Sequence, residues 1–420
     1  MSLDVLTLDN FDLEGKTVLL RVDINSPIDR ETKAIKDDTR IQRVLPTIKE
    51  LITSGARTAI LAHQGDPLEY QNFTSLAAHA QKLTQLLDHP INFLDDVAGP
   101  AARKAIRDLK NGDVLLMENV RIHTEETIVF EESVNLSPEE QAKTYIIRNL
   151  APLADLFVCD AFAAVHRSEP TLVGFQEVLP SAAGRLFEEE LRVLNKVLGN
   201  PQRPCLFLLG GAKILDAFKM MRAALESGAA DGVLTVGLTG EIMIMAAGYD
   251  LGVKTQKYLE DKNLLTFVEP AKELLANFSD RLYFPIDVAG VKDAQRFDLN
   301  REQLPVENMI TDIGTDTIAQ YSTLIAEAKT IFVNGPAGIY EDELSAHGTR
   351  SLWQAMADSP AYTVIGGGDS IAAARKFDLL DDFSYVCTAG GGLVRFLAGE
   401  SLPVLTALEK SAERWKKETQ

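Results

Sequence analysis

The chain has 420 residues, too many for one compact core; at roughly 150 residues per domain it is expected to form two lobes with a cleft. Hydrophobic residues at 46% and charged ones at 25% are ordinary for a soluble globular protein and carry no signature of disorder. With 42 Lys and Arg against 61 Asp and Glu the net charge is -19, which repels nucleic acid and acidic membranes. Neither is expected as a partner, and an anionic ligand must be caught by locally placed groups.

Three cysteines, Cys159, Cys205 and Cys387, lie far apart in apolar runs, which favours reduced core thiols over a disulfide or zinc framework. The N-terminal "MSLDVLTLDNFDL" has no basic start, and no run of 18 uncharged apolar residues follows. A cytoplasmic location is therefore expected.

In chain order, the β-branched apolar runs "TVLLRVDI", "TAILA", "INFL", "DVLLME" and "DLFVCDAF" read as strands of a first lobe. Between the first two, residues 40–52 read as a helix. Ile41, Val44, Leu45, Ile48, Leu51 and Ile52 keep the i, i+3, i+4, i+7 spacing, and Asp37, Asp38 and Thr39 supply its cap. The charged stretch "FEEELRVLNKVLGNPQRP" ends in turn residues and reads as the inter-domain connection. The alternation then restarts with "CLFLLG", "DGVLTVG", "RLYFPIDV", "TIFVNG", "YTVIGGG" and "FSYVCTA". Strands alternating with helices imply an α/β fold: parallel sheets covered on both faces, with ligands beyond the strands' carboxyl ends.

Just past the strand ends of the first lobe stand Asp23, Asn25, His63, Arg121, His166 and Arg167, and Arg40 joins them from the start of the predicted helix. Arginine matches carboxylate and phosphate geometry with two parallel donors, and a helix N-terminus adds backbone donors. A single arginine after a strand is more often a surface ion-pair former; the recurrence at successive strand ends points to one anionic ligand.

In the second lobe, "YTVIGGGDSIAAARKF" (362–377) and "FSYVCTAGGGLVRFLAG" (383–399) are strand-glycine-helix transitions of the kind that let backbone N–H groups approach phosphate oxygens. Asp369, beside the first, suits the magnesium of a nucleotide. "LFLLGGAKILDAFK" (206–219) offers Lys213, and "IFVNGPAGIYEDE" (331–343) offers Asn334 and Glu341, the latter as a ribose acceptor. No Walker A or kinase-type glycine loop is present.

The ordered set "LLRVDINSP", "KDDTRIQRVLPTI", "LAHQGDP", "LMENVRIHTEE", "CDAFAAVHR", "GGAKILD", "VNGPAGIYE", "IGGGDS" and "TAGGGLV" resembles the phosphoglycerate kinase family over nearly the full chain. The resemblance implies two Rossmann-like domains with parallel sheets flanked by helices, joined by a helical hinge. It implies a phosphoglycerate-binding domain over 1–182, a connecting helix over 183–200, a nucleotide-binding domain over 201–400 and a tail, 401–420, returning to the first domain.

By that resemblance Asp23 and Asn25 contact the glycerate, and His63, Arg121 and Arg167 bind the ligand's carboxylate or phosphate. Arg40 faces the transferring phosphoryl group. Lys213 and the N–H groups of Gly390, Gly391 and Gly392 stabilise that group from the other lobe. Gly211, Asn334, Glu341 and Gly366, Gly367, Gly368, Asp369 and Ser370 hold ATP or ADP, with Asp369 on Mg2+. The implied reaction is phosphoryl transfer between 1,3-bisphosphoglycerate and ADP by a monomer, a dimer being the alternative assembly. A non-catalytic sensor of the same ligands is the alternative function, and a kinase for a related carboxylate the third.

The chain departs from the family's pattern at four places. Asp66 stands where an arginine is usual, Glu169 near a usual second histidine, Ala217 for a second lysine and Val333 for an aromatic residue. Lys219 is a candidate to replace the lysine missing at Ala217. Asp66 is expected to point away from the ligand.

Overall fold

The computed structural model of the protein describes residues 4–29, 31–65, 73–388 and 391–418. The chain divides into two compact units, one of Met1–Arg192 with Ser401–Gln420 and one of Val193–Glu400.

The first unit carries six parallel strands: β1 (Thr17–Val22), β2 (Arg57–Leu61), β3 (Ile91–Leu94), β4 (Val114–Met117), β5 (Leu156–Asp160) and β6 (Ser181–Ala183). Their order is β3-β4-β2-β1-β5-β6, so the chain reverses direction across the sheet between β1 and β5. β1 is buried along its whole length, as a central strand covered on both faces must be. Val18, Leu20 and Val22 share one face and pack with Ile41, Ile48 and Leu51. β6, only Ser-Ala-Ala, lacks a strand composition and exists because β5 offers it a free edge, pairing Phe157 to Ser181.

The helix expected over 40–52 forms as two pieces, Thr39–Arg43 and Leu45–Thr53. Pro46 has no N–H to give the Gln42 carbonyl, which interrupts the ladder there. Asp37 rather than Asp38 serves the helix start, accepting from Thr39 N at 2.8 Å, while Asp38 pairs with Lys82 at 2.7 Å.

The second unit carries β7 (Cys205–Leu209), β8 (Gly232–Thr235), β9 (Leu282–Tyr283), β13 (Thr330–Asn334), β14 (Tyr362–Gly366) and β15 (Tyr385–Cys387), all parallel. The order β15-β14-β13-β7-β8-β9 is that of doubly wound dinucleotide-binding sheets, with its reversal between β7 and β13. The fold class is therefore two parallel α/β sheets of six strands each, flanked by helices.

The stretch "RLYFPIDV" is not one strand. Pro285 lacks a donor for a ladder, so β9 ends before it and β10 (Asp287–Lys292) begins a separate sheet with β11 (Gln295–Asn300) and β12 (Ile310–Ile313). That sheet is antiparallel, in the order β11-β10-β12, where only parallel sheets were expected. Trp353 and Tyr321 are fully buried in the core of this unit.

The helix Arg185–Leu198 spans the boundary between the units, and the helix Pro403–Glu418 belongs to the first. Val404 N donates to the Val165 carbonyl at 3.3 Å, and Arg414 pairs with Glu177 at 3.1 Å. All three cysteines are buried thiols. Among the described residues no helix is long and apolar enough to cross a membrane.

Candidate active site

The loops leaving β1, β2 and β4 bring most of the first unit's predicted residues together. Arg40 Nη1 donates to Asp23 Oδ1 at 3.1 Å and Oδ2 at 3.3 Å. Burial pushes the Asp23 carboxyl up, but the Arg40 charge, the neighbouring His63 ring and the Asn25 N–H outweigh it and hold the group at about 2. Asp23 is thus an anion that keeps Arg40 in place, while the Arg40 side chain stays 36% exposed.

Asn25 and Gly65 bond reciprocally: Gly65 N donates to Asn25 Oδ1 at 3.0 Å and Asn25 Nδ2 to the Gly65 carbonyl at 3.3 Å. Arg121 Nη1 also donates to that carbonyl. A cavity of about 540 Å³ opens beside these groups, lined by Asn25, Arg40, Gln64 and Gly65 with Lys33 and Lys36. Arg167 is held by Glu131, Nη1 to Oε2 at 3.2 Å. Asp66 lies outside the described residues.

Packed against His63 is a residue that its place inside an apolar strand does not announce. Arg21, inside β1, is fully buried; its Nε donates to Thr171 Oγ1 at 2.9 Å, its Nη1 to the Val22 carbonyl at 2.6 Å and its Nη2 to His63 Nδ1 at 3.1 Å. Since arginine only donates, His63 Nδ1 is the acceptor and its proton sits on Nε2. Burial, then the neighbouring Arg121, Arg21 and Arg40 charges, push His63 well below its usual range despite Asp23, so the ring is neutral with an N–H to offer an anion.

Thr171 in turn binds Glu126, N to Oε1 and Oγ1 to Oε2 both at 2.7 Å. Glu126 and Glu169 are buried carboxyls raised by burial, Glu126 further by the Glu169 charge, with Arg21 pulling both down. Glu169, near which a second histidine was expected, is a buried group that faces the Arg121, Arg21 and Arg167 charges.

In the second unit the loops after β7 and β13 meet backbone to backbone at the sheet's reversal. Gly210 N donates to the Asn334 carbonyl and Gly211 N to the Pro336 carbonyl, both at 2.9 Å. Gly335 has φ +95°, and a Cβ on it would sit 2.0 Å from the Gly210 oxygen. Beside this contact is a cavity of about 400 Å³, with Gly211, Leu238, Tyr258 and Ile310 along its walls and Glu341 and Asp369 also on its lining.

Lys213, the residue preceding the helix Ile214–Glu226, is exposed and has no partner among the described residues. Ala217 is buried in that helix at 2% exposure, whereas Lys219 is 42% exposed and bonds Glu400 at 2.8 Å. The helix turns about 100° per residue, so Lys219 lies on the opposite side from Ala217 and is engaged elsewhere.

The run Gly366–Ser370 divides. Gly366 is buried at the end of β14, and the Ser370 hydroxyl is buried and accepts from Gly335 N at 2.6 Å, fixing the β13 loop. Gly368 and Asp369 are exposed in the first turn of the helix Gly368–Lys376, with Gly367 just before it. The Asn334 side chain lies against Gly367. Lys376 Nζ clamps the loop that bears Glu341, bonding the carbonyls of Tyr340 at 2.9 Å and Glu341 at 3.0 Å. Gly391 and Gly392 open the helix Gly391–Leu397; Gly390 lies outside the described residues.

Magnesium was expected on Asp369. Among the described residues no three His, Cys, Asp or Glu side chains cluster as a cage. An exposed Asp369 with Glu341 on the same cavity suits an ion that takes most of its oxygens from phosphates and water.

The family model described as phosphoglycerate kinase matches residues 8–400. The chain is 43% identical to the phosphoglycerate kinase of Methanobacterium bryantii over 97% of its length and 98% of that protein, and 44% identical to that of Methanococcus maripaludis over 98% and 99%. Its fold resembles the crystal structure of phosphoglycerate kinase from Pyrococcus horikoshii with a TM-score of 0.88 at 38% identity, covering 97% of this chain and all of that one. Full-length matches in sequence and in fold agree: the chain belongs to the phosphoglycerate kinase family of phosphotransferase enzymes.

Proposed function

We propose that the chain transfers a phosphoryl group reversibly between 1,3-bisphosphoglycerate and ADP, giving 3-phosphoglycerate and ATP. The first unit binds the phosphoglycerate and the second the nucleotide, with the helix around 183–200 as a hinge for closure. The observation that supports this most is the cluster in which Asp23 holds Arg40, Arg21 holds His63 and the Gly65 carbonyl holds Arg121, so that Arg40, His63 and Arg121 present donors to an anion.

Acceptor and leaving group are already ionised at neutral pH, so positioning and charge compensation carry the step and no general base is needed. Neutral His63 donates from Nε2, and Arg121 and Arg167 match the ligand's carboxylate or phosphate bidentately. Asn25 and Asp23 meet the glycerate. Arg40, held on Asp23, faces the phosphoryl group in flight, and Lys213 with the N–H groups of Gly390, Gly391 and Gly392 faces it from the nucleotide side.

Gly211, Asn334, Glu341 and the stretch Gly366–Ser370 seat the nucleotide, Ser370 and Gly366 from beneath. Asp369 would hold magnesium, which when bound neutralises phosphate charge. Closure keeps water from the reactive acyl phosphate. The same reading makes the protein a cytoplasmic monomer whose partners are these small anions.

The test is acyl-phosphate formation from 3-phosphoglycerate and ATP with magnesium, trapped by hydroxylamine. Steady turnover is expected; no product from protein that still binds ADP would leave the sensor reading instead.

A further inference from the structure

Glu241 is the one charged residue in the helix Gly237–Ala246, whose neighbours Ile242, Met243 and Ile244 are all buried. It is 6% exposed, its Oε2 is enclosed with no hydrogen-bond partner, and it has no ion pair among the described residues. An unpartnered buried carboxyl is costly and calls for a reason. The reason lies in its position: Glu241 lines the same 400 Å³ cavity as Glu341 and Asp369, among the apolar side chains of Leu238, Met309 and Ile310. If Asp369 and Glu341 mark where phosphates and ribose sit, Glu241 is the remaining hydrogen-bonding carboxyl on the wall, left for the base.

Resting on the nucleotide site proposed above, we infer that Glu241 is a specificity residue that reads the edge of the nucleobase, its carboxyl pairing with the amidine edge of a 6-aminopurine. A neutral carboxyl offers one O–H and one carbonyl oxygen side by side. Adenine answers with a ring nitrogen that accepts and an exocyclic N–H that donates. A carboxylate offers two acceptors and instead matches the adjacent N–H groups of guanine.

Burial alone pushes Glu241 up to about 8, so the neutral, adenine-matching form prevails at pH 7. The titratable groups facing it are few. Tyr258, Tyr340, Glu341 and Asp369 line the same cavity, and Asp312 on β12 shares a small internal cavity with it but is tied to Arg296 at 2.8 Å. The helices Ile214–Glu226 and Val268–Phe278, packed on its own, bury Ala217, Phe218, Met221, Ala271 and Leu274. No charge from these elements offsets the burial.

The experiment is calorimetric binding of ADP and GDP to the intact protein at pH 6.5 and 9.0, for the native chain, Glu241→Gln and Glu241→Leu. The native protein is expected to favour ADP about ten- to a hundredfold at pH 6.5, one bidentate base contact's worth, with the ratio falling at pH 9.0. Glu241→Gln, whose amide keeps one donor and one acceptor, should retain the preference and lose its pH dependence; Glu241→Leu should lose the preference. An ADP to GDP ratio near one at both pH values in the native protein overturns the inference even if neither variant folds. Should neither nucleotide bind the native protein, the nucleotide site itself fails; binding without base preference leaves that site standing and removes only Glu241's role.

Discussion

Arg40 spends a single nitrogen, Nη1, on both oxygens of Asp23, at 3.1 and 3.3 Å, and its other guanidinium donors have no partner among the described residues. Arg40→Ala is expected to lower kcat at least about a hundredfold while moving the nucleotide KM less than about threefold, since the contact is proposed for the transition state. The reverse pattern in steady-state kinetics, a raised KM with kcat intact, would assign Arg40 to ground-state binding. The pair also fixes an acid limb of stability. The Asp23 carboxyl is lowered to about 2 from an unfolded value near 3.9, so about 2 kcal/mol present above pH 4 is lost as pH falls through 2. Chemical denaturation across that window should show the loss in the native chain and little of it in Arg40→Ala.

Arg21 is a buried cation beneath the proposed substrate groups, bonded to Thr171 and His63 and close enough to lower both buried glutamates. Arg21→Met should cost about 3–5 kcal/mol, because it leaves those carboxyls without their countercharge. In native chain and variant alike a raised folded value costs stability as pH rises from about 4.3, so the variant's deficit should stay flat at low pH and widen as pH passes the native carboxyl's own raised value, about 8 for Glu126. Adding Glu126→Gln should recover part of it; strict additivity of the two changes would show the residues are not coupled.

Gly335→Ala tests the backbone seat proposed for the nucleotide. With φ at +95° and the Gly210 oxygen 2.0 Å from the added carbon, the β7 and β13 loops must separate. We expect a loss of about 2–4 kcal/mol in stability and at least tenfold weaker ADP binding by calorimetry, with 3-phosphoglycerate affinity unchanged within twofold. Equal loss at both ligands would mean the damage is not local.

Lys213 makes no partner contact among the described residues, so its removal separates function from folding. Lys213→Ala should leave stability within about 0.5 kcal/mol and lower kcat by about a hundredfold or more. A thermal shift without a rate effect would reverse that assignment.

Asp369→Asn keeps the shape of the helix start but removes the carboxylate proposed for magnesium. The magnesium concentration for half-maximal rate should rise about tenfold, with a smaller change in ADP affinity measured without metal.

Much of the candidate site was legible because strand ends announce themselves: an apolar run such as "TAILA" stops, and the polar residue that follows, His63, lies where parallel sheets open to ligands. Arg21 was not legible for the same reason. It sits inside the run, where a strand offers no hint that a guanidinium will be buried on residues 42 and 150 positions away. Glu241 reads as an ordinary polar residue of a helix until the cavity beside it is seen. β6 and the three-stranded sheet escaped because pairing partners, not composition, make short strands. Within "IGGGDS" the glycine spacing suggested one continuous cradle, but the fold turns Gly366 and Ser370 inward and only the middle of the run outward.

The helix Pro403–Glu418, in the segment Ser401–Gln420, completes a unit whose remainder precedes position 193. On a ribosome, the second unit's whole sequence is synthesised before the first unit receives its last helix. Until then the surface that meets Val404 and Arg414, around Val165 and Gln176–Glu177, stays uncovered. Vectorial synthesis therefore favours the second unit maturing first, and a chain stopped between Glu400 and the start of this helix at Pro403 has the whole sequence of one unit and leaves the other open.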